Sequence, residues 1–346
     1  MSPSSVPLSV LDLAPVPAGT KAASALRNSI DLAQHVESLG YRRHWVAEHH
    51  NLPGIASSSP AVLMAHLAAA TSTLRIGSGG VMLPNHASLT VAEQFGMLEA
   101  LHPGRIDLGL GRAPGTDPNT AAALRCAPTT IGDSFPSQLG ELLAYFDGTH
   151  PQIIATPARG YRPALWMLGS SDYGAQVAGQ LGIPFSFAHH FSAGDTAAAL
   201  AAYRRSFKPS EWLEQPYSMI GVSVVCAETD VRADYLAGPS ALSFTRLRQG
   251  QPMQMVTPEE VAAYDWTPME LELRRQWEGP VVKGEAASVG EQLEELLNRY
   301  QVDELMLTTM VHGHADRRRS YELVAQAWNL SAPVAASEDG ATRPEG

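Results

Sequence analysis

The residues best suited to chemistry lie in short clusters that follow apolar runs of the chain. Two such clusters are Glu48-His49-His50 and Gly169-Ser170-Ser171, and a single arginine, Arg112, follows another apolar run. Histidines and carboxylates transfer protons in general acid–base catalysis, whereas an arginine and a loop of small residues bind phosphate or another anion. The chain therefore combines candidates for proton transfer with candidates for anion binding.

The glycine-rich segment from residues 104 to 117 first suggests a nucleotide-binding loop. Gly109 and Gly111 match the first two glycines of the fingerprint GxGxxG, but Pro114 stands where the third glycine belongs. The pair Pro114-Gly115 also indicates a turn at the point where the fingerprint needs a helix. We therefore interpret Arg112 as the ligand of an anion-binding loop, with an ordinary solvated arginine as the alternative.

Eight strand-like apolar runs alternate with helical patterns along the chain. Runs of this length, apolar throughout, are typical of parallel strands that are buried on both faces. A doubly wound sheet is one alternative, but units repeated with no break in composition favour a (β/α)8 TIM barrel in a single domain, residues 1–330. The predicted strands span residues 8–14, 44–47, 74–83, 106–110, 164–168, 184–188, 218–226 and 304–310.

Two segments depart from this alternation. Residues 248–287, after the seventh strand and its helix, contain several prolines and tryptophans, and we predict an insertion over the barrel mouth. Within it, Gln249 to Asp265 is a candidate lid, and an ordinary surface insertion is the alternative. Residues 331–346 have almost no large apolar side chain and are predicted to be a disordered tail.

The predicted barrel brings the clusters together, because the carboxyl ends of its strands share the face that holds the active site. Several of the 12 histidines follow predicted strands and are expected there. One interpretation is a divalent metal that activates water, but the first strand has Leu11-Asp12-Leu13 in place of His-x-His, and Arg112 stays unexplained. The other is a phosphorylated planar cofactor, with Arg112 and Ser170-Ser171 on its phosphate and the Gly79-Gly80 backbone against its ring.

Composition narrows the possible partners and compartment. The net charge of −11 disfavours nucleic acid and anionic membranes, because both repel an acidic chain. The two cysteines, Cys126 and Cys226, provide neither a disulfide framework nor a zinc-binding pattern. The first residues lack the features of a signal peptide, and no apolar run is long enough to span a membrane, so we expect a cytoplasmic protein.

Four segments carry a resemblance to a known family. They are Trp45-Val46-Ala47-Glu48-His49-His50, Arg75-Ile76-Gly77-Ser78-Gly79-Gly80-Val81, Gly104-Arg105-Ile106-Asp107-Leu108-Gly109-Leu110-Gly111-Arg112 and Leu168-Gly169-Ser170-Ser171. In these segments, and in their order from about Leu8 to Leu330, the chain resembles the bacterial luciferase-like, flavin-dependent monooxygenases. It is most similar to the branch that includes polyketide-tailoring oxygenases. The resemblance implies a TIM barrel, reduced FMN as cofactor, O₂ as co-substrate, and a homodimer.

The resemblance also implies roles for single residues. His49 takes the place of the family's catalytic histidine, and Glu48 and Asp117 are expected beside it, where a carboxylate raises the pKa of an imidazole. The family's cofactor contacts fall on Ser78, Gly79, Gly80, Arg112, Leu168, Gly169, Ser170 and Ser171. A non-proline cis peptide bond is expected at Ser78-Gly79 or Gly79-Gly80. One departure is Ala113-Pro114, where the family often has a glycine after the arginine, so the phosphate loop is expected to be stiffer.

These expectations lead to a monooxygenase that receives FMNH₂ from a separate flavin reductase. The reduced flavin reacts with O₂ to form a C4a-hydroperoxide, which oxygenates a small organic substrate in secondary metabolism. The alternatives are an F420-dependent oxidoreductase, a metal-dependent TIM-barrel hydrolase, and a binding subunit without catalytic activity. The helices Ala61 to Ala70 and Ala92 to Leu101 are rich in small and apolar residues, which favours a dimer contact there.

Overall fold

The strands of the protein close into a parallel barrel, as the sequence predicts. A computed structural model describes residues 6–113, 117–124, 131–252 and 254–332. The strands are β1 (Leu8–Asp12), β2 (Arg43–Val46), β3 (Arg75–Ser78), β4 (Val81–Met82), β5 (Ile106–Gly111), β6 (Ala164–Gly169), β7 (Phe185–Phe187), β8 (Ser218–Ala227), β9 (Val282–Glu285) and β10 (Glu304–Thr308). Parallel pairing runs in the order β10-β1-β2-β3-β5-β6-β7-β8, and β8 pairs with β10 to complete a TIM barrel.

Helices connect the strands and cover the outside of the barrel. They are α1 (Ala22–Ser38), α2 (Pro60–Ala70), α3 (Ser88–Leu101), α4 (Pro118–Ala123), α5 (Ile131–Asp147), α6 (Asp172–Leu181), α7 (His189–Ser192), α8 (Thr196–Ser206), α9 (Asp230–Arg248), α10 (Pro258–Ala262), α11 (Pro268–Glu278), α12 (Ala286–Tyr300) and α13 (His314–Ala327). Local signals set several starts: a proline begins α2, and Thr267 and Glu270 form a capping box at α11.

The inside of the barrel is packed with large apolar side chains. Leu11, Trp45, Trp166, Met219 and Met306 form a buried cluster there, which we call the inner cluster. The rings of Trp45 and Trp166 meet edge to face, with their centroids 5.1 Å apart. Because this cluster fills the barrel, the cavity at the carboxyl ends of the strands has a floor and is not a pore.

A buried ionic cluster closes the opposite end of the barrel. Arg43 bonds to Asp107 at 2.8 Å and to Glu304 at 2.9 Å, and Arg75 bonds to Asp107 at 2.6 Å. Burial by itself raises the pKa of Asp107, but the two arginines outweigh it, and the net effect lowers that pKa. Each charge therefore has a partner, as buried charges require. The cluster lies at the amino ends of the strands, away from the mouth.

The predicted third strand, residues 74–83, is interrupted in the structure. The Gly79-Gly80 peptide bond is cis and separates β3 from β4, which confirms one of the two predicted positions. A Cβ on Gly80 would lie 2.7 Å from the carbonyl oxygen of Gly109, and a Cβ on Gly109 would overlap the carbonyl oxygen of Ser78. These glycines are needed because the backbones of β3 and β5 approach each other too closely for side chains.

The predicted insertion contains α10, α11 and β9, and β9 pairs in parallel with β8. The backbone N–H of Ala18 donates to the carbonyl of Met255 at 2.8 Å, so the insertion contacts the loop that follows β1. The rings of Trp277 and Phe244 stack at 4.3 Å and attach α11 to α9. Among the helices that the structure describes, none is long and apolar enough to cross a membrane. The predicted tail beyond residue 332, as well as Pro114, Gly115 and Cys126, lies outside the described residues.

Candidate active site

The predicted site residues lie at one end of the barrel. His49 follows β2, the Gly79-Gly80 bond separates β3 from β4, Arg112 follows β5, and Ser170-Ser171 follow β6. These positions are all at the carboxyl ends of parallel strands, so the loops that carry them surround the same mouth.

Arg112 and the start of α6 form a cationic, hydrogen-bond-donating corner. The guanidinium carbon of Arg112 lies 4.1 Å from the centroid of the Tyr173 ring, a cation–π contact that fixes the arginine beside α6. Ser170 and Ser171 are exposed, and the side chain of Ser171 makes no capping hydrogen bond within the described part of α6. Free backbone N–H groups, two hydroxyls and a guanidinium therefore face the same region, and this donor set fits a phosphate group.

The cis peptide segment provides a flat backbone surface beside this corner. A Cβ on Gly79 would lie 2.8 Å from Leu11 of the inner cluster, so the glycine rests directly on the barrel floor. Ser78 Oγ donates to the carbonyl of Gly109 at 3.0 Å and accepts from the Gly109 N–H at 3.0 Å. A backbone without side chains, held in this way, suits close contact with a planar ring.

Glu48 is fully buried and accepts hydrogen bonds from four groups. His86 Nε2, His50 Nε2, Asn85 Nδ2 and the backbone N–H of Met82 approach its carboxylate at 2.9 to 3.0 Å. Burial raises the pKa of Glu48, but the bonds from His86, His50 and Asn85 outweigh it and lower the pKa overall. Glu48 therefore holds the loop after β4 against the end of β2. Its predicted catalytic role stays a prediction.

Asp117 organises a different part of the mouth. Its carboxylate accepts from Asn51 Nδ2 at 3.0 Å and from the backbone N–H groups of Asn119 and Thr120, so it is the N-cap of α4. The bond from Asn51 and those from Thr120 lower its pKa. Asn51 and His49 belong to the same loop, so Asp117 joins that loop to α4. Its predicted influence on His49 stays a prediction.

His49 is half-buried and its backbone is fixed. Its N–H donates to the carbonyl of Ser57 at 2.9 Å, and Ser57 Oγ in turn donates to the carbonyl of Ala47 at 2.5 Å. These bonds tie the start and the end of the β2–α2 loop together. The backbone of His49 is therefore held in place at the mouth, and its predicted acid–base role stays a prediction.

The structure also brings in residues to which the sequence assigned no contacts. Asn85 and His86 bond to Glu48, and His190 lies close enough to His49 for the two charges to interact. Their only signal in the sequence is position, since each follows a predicted strand. Among the residues that the structure describes, no group of three or more His, Cys, Asp or Glu side chains is arranged to hold a metal ion.

A TIM barrel with a histidine and a cationic, hydrogen-bond-donating corner at the carboxyl ends of its strands has the form of a barrel enzyme. The model of the luciferase-like monooxygenase family matches residues 6–304. The chain belongs to the luciferase-like monooxygenases. Membership in this family supports the classification of the protein as an oxidoreductase.

Relatives and a solved structure agree with this assignment. The chain is 43% identical over 325 residues to a luciferase-like monooxygenase of Escherichia coli K12, covering 93% of this chain and 97% of that one. It is 33% identical over 330 residues to the N-acetyl-S-alkylcysteine monooxygenase of Bacillus subtilis, with 92% and 97% coverage. The crystal structure of apo-MsnO8 superposes with a TM-score of 0.86 at 36% identity, over 94% of this chain and 99% of that one.

Proposed function

We propose that the protein is an FMNH₂-dependent monooxygenase that uses O₂ to oxygenate a small organic molecule. The observation that carries the proposal is the corner formed by Arg112 on Tyr173 and the start of α6, beside the Gly79-Gly80 backbone. A phosphate and a planar ring are the two parts of FMN that such neighbours bind. When bound, reduced FMN supplies the electrons and the reactivity toward O₂.

In this proposal the side chains bind, orient and exchange protons. Arg112, Ser170 and Ser171 hold the phosphate, with Leu168 and Gly169 leading into that loop. Ser78, Gly79 and Gly80 support the ring.

His49 accepts or donates the proton at the mouth, with Glu48 and Asp117 fixing the loops around it. The inner cluster below and the insertion, residues 248–287, exclude water, with Gln249 to Asp265 as the lid.

The same proposal covers the assembly and partners. A separate reductase supplies FMNH₂ to a cytoplasmic, single-domain protein. Two copies meet through α2 and α3, whose outer faces expose Val62, Met97 and Leu101, at 60%, 53% and 68% of their surface. Apolar side chains of this size on adjacent helices favour contact with a second copy.

Anaerobic titration with FMNH₂, followed by admission of O₂, tests the proposed function. We expect saturable binding, uptake of O₂, and a transient absorbance distinct from those of reduced and oxidised FMN. N-acetyl-S-methylcysteine is a first substrate to try, because the name of the B. subtilis relative specifies that class of compound.

If saturating FMNH₂ gives neither O₂ uptake nor a transient species, the proposal is wrong. Hydride transfer with reduced F420 and without O₂ uptake would replace it by the F420-dependent alternative. Loss of activity on chelation, with no effect of flavin on the melting temperature, would support the metal-dependent hydrolase.

A further inference from the structure

His190 and His49 reach the barrel mouth from opposite sides. In the closed order of strands, β2 and β7 are four positions apart, and each histidine lies three residues beyond the end of its strand. The charge of His49 nevertheless disfavours a charge on His190. Because the carboxyl ends of all strands in a closed barrel surround one mouth, the two histidines flank that mouth from opposite sides.

The ring of His190 lies against the inner wall of the barrel, on Gly221. Met219 belongs to the inner cluster, and alternation along β8 directs position 221 inward as well, one layer nearer the mouth. A Cβ on Gly221 would lie 2.6 Å from His190 Nδ1, which is too close for a carbon atom. The missing side chain of Gly221 therefore makes the space that the imidazole occupies.

His190 is neutral in this position. Burial lowers its pKa to about 4, with smaller effects from the Gly221 backbone, which raises it, and from His189 and His49, which lower it. The backbone effect of Gly221 is a hydrogen-bonding interaction with the imidazole, and Nδ1 is the ring atom that faces Gly221. A neutral imidazole has one N–H donor and one acceptor nitrogen, so it suits an uncharged polar ligand.

We propose that His190 is a second histidine of the active site, which contacts the flavin ring from the side opposite His49 as a neutral hydrogen-bonding group. The proposal rests on the proposed function, since it needs FMN at the mouth. It assigns Gly221 a positioning role, because only a residue without a side chain at 221 lets the ring of His190 lie inside the barrel.

Nuclear magnetic resonance of protein labelled at histidine Cε1 gives a test that does not depend on activity. Variants His49→Asn and His190→Gln assign the two signals. In the free protein the His190 signal should show no protonation between pH 8 and about pH 5. Oxidised FMN, and reduced FMN under anaerobic conditions, should shift the signals of His49 and His190 together.

A double-mutant cycle tests the contact between His190 and Gly221. Gly221→Ala should weaken FMNH₂ binding by roughly 5- to 100-fold, because the added methyl group pushes the imidazole into the space of the flavin. In a His190→Ala background the same change should alter binding less than about twofold. Gly290→Ala is the matched control, since a Cβ there would lie 3.9 Å from Ala327 Cβ, at ordinary van der Waals distance.

The outcomes separate this proposal from the proposed function. If FMN shifts the His49 signal and leaves that of His190 unmoved, His190 is not a site residue, although the proposed function survives. Equal effects of Gly221→Ala with and without His190 would also overturn the proposal. If saturating FMNH₂ shifts neither signal, the proposed function itself fails. Should Gly221→Ala not fold, the resonance experiment on the intact chain decides alone.

Discussion

At the scale of the residue, Glu48 shows how a buried carboxylate can join two loops at the mouth of a barrel. It follows β2 directly, yet its oxygens are occupied by His50, Asn85, His86 and the backbone of Met82. Met82, Asn85 and His86 come from the segment after the cis peptide bond, whereas His50 belongs to the same loop as His49. The carboxylate therefore couples the position of the loop that carries His49 to that of the backbone proposed to support the flavin ring.

Replacing Glu48 by glutamine should destabilise the fold by about 1–3 kcal/mol at pH 7, because the amide presents a donor to groups that already donate. The pKa of Glu48 is lowered from 4.5, so its stabilising effect is complete above pH 4.5 and disappears as pH falls through the folded-state pKa. The difference between wild type and Glu48→Gln should therefore shrink below pH 4.5. Urea unfolding at several pH values measures it.

The exposed Glu214→Gln change is the control for this comparison and should leave stability unchanged at every pH. An unchanged free energy of unfolding for Glu48→Gln at pH 7 would show that the four hydrogen bonds contribute nothing net.

Arg112→Ala should weaken FMNH₂ binding about 10- to 100-fold and leave the melting temperature unchanged, because a charge-assisted bond to phosphate contributes about 1.5–3 kcal/mol. Anaerobic titration measures the affinity. Arg162 offers a matched control, since it stacks on Trp212 at 3.6 Å but precedes β6 at the other end of the barrel. Loss of stability with normal FMNH₂ affinity would make Arg112 a structural residue.

At the scale of the element, the segment from β3 to β5 is shaped by missing side chains. The apolar pattern of residues 74–83 predicts one strand, but the backbone breaks at the cis bond between Gly79 and Gly80. Hydrophobic periodicity reports only which residues are buried, so it does not register this break. The only local signal in the sequence is the pair of adjacent glycines inside an apolar run.

Gly109→Ala should reduce the free energy of unfolding by about 3 kcal/mol or prevent folding, since its Cβ would overlap the carbonyl oxygen of Ser78 in the neighbouring strand. Gly140→Ala, in α5, meets no atom within 4 Å and should be neutral or stabilising by about 0.5–1 kcal/mol. Thermal and urea unfolding of both variants give the comparison. Similar stabilities for the two would refute the close approach of β3 and β5.

At the scale of the whole molecule, the barrel separates stability from function along its axis. The ionic cluster of Arg43, Arg75, Asp107 and Glu304 closes the amino end, and the inner cluster fills the middle. The histidines and the anion-binding corner lie at the carboxyl end. Substitutions of exposed residues at the mouth, such as Arg112, Ser170 and Ser171, should therefore affect binding more than folding, whereas the buried Glu48 also contributes to stability.

The proposed dimer is tested at this scale. Met97→Glu combined with Leu101→Glu should convert a dimer to a monomer in sedimentation velocity, because a buried interface would have to desolvate two carboxylates without partners. Met269→Glu is the control, as Met269 is 77% exposed on α11, away from α2 and α3. A dimer that survives the double change would place the contact elsewhere, and a monomeric wild type would contradict the dimer itself.

The alternation of apolar runs with helical patterns predicted parallel strands buried on both faces, and eight such units with no break in composition favoured a barrel over a doubly wound sheet. The same reasoning placed His49, Arg112 and Ser170-Ser171 at one end, since all carboxyl ends of a barrel share a face. The resemblance to the family supplied the cis bond within two candidate positions. The strand and helix patterns and the paired glycines can each be recognised from residues that are close together in the chain.

Contacts between distant segments could not be derived in this way. The bond from His86 to Glu48, the pairing of Arg43 with Glu304, and the place of His190 on Gly221 each join separate strands or loops. Their geometry depends on strand register and on the inward or outward direction of each side chain, which follow from closure of the barrel. Sequence spacing identifies the candidate residues, and barrel closure decides which of them face each other.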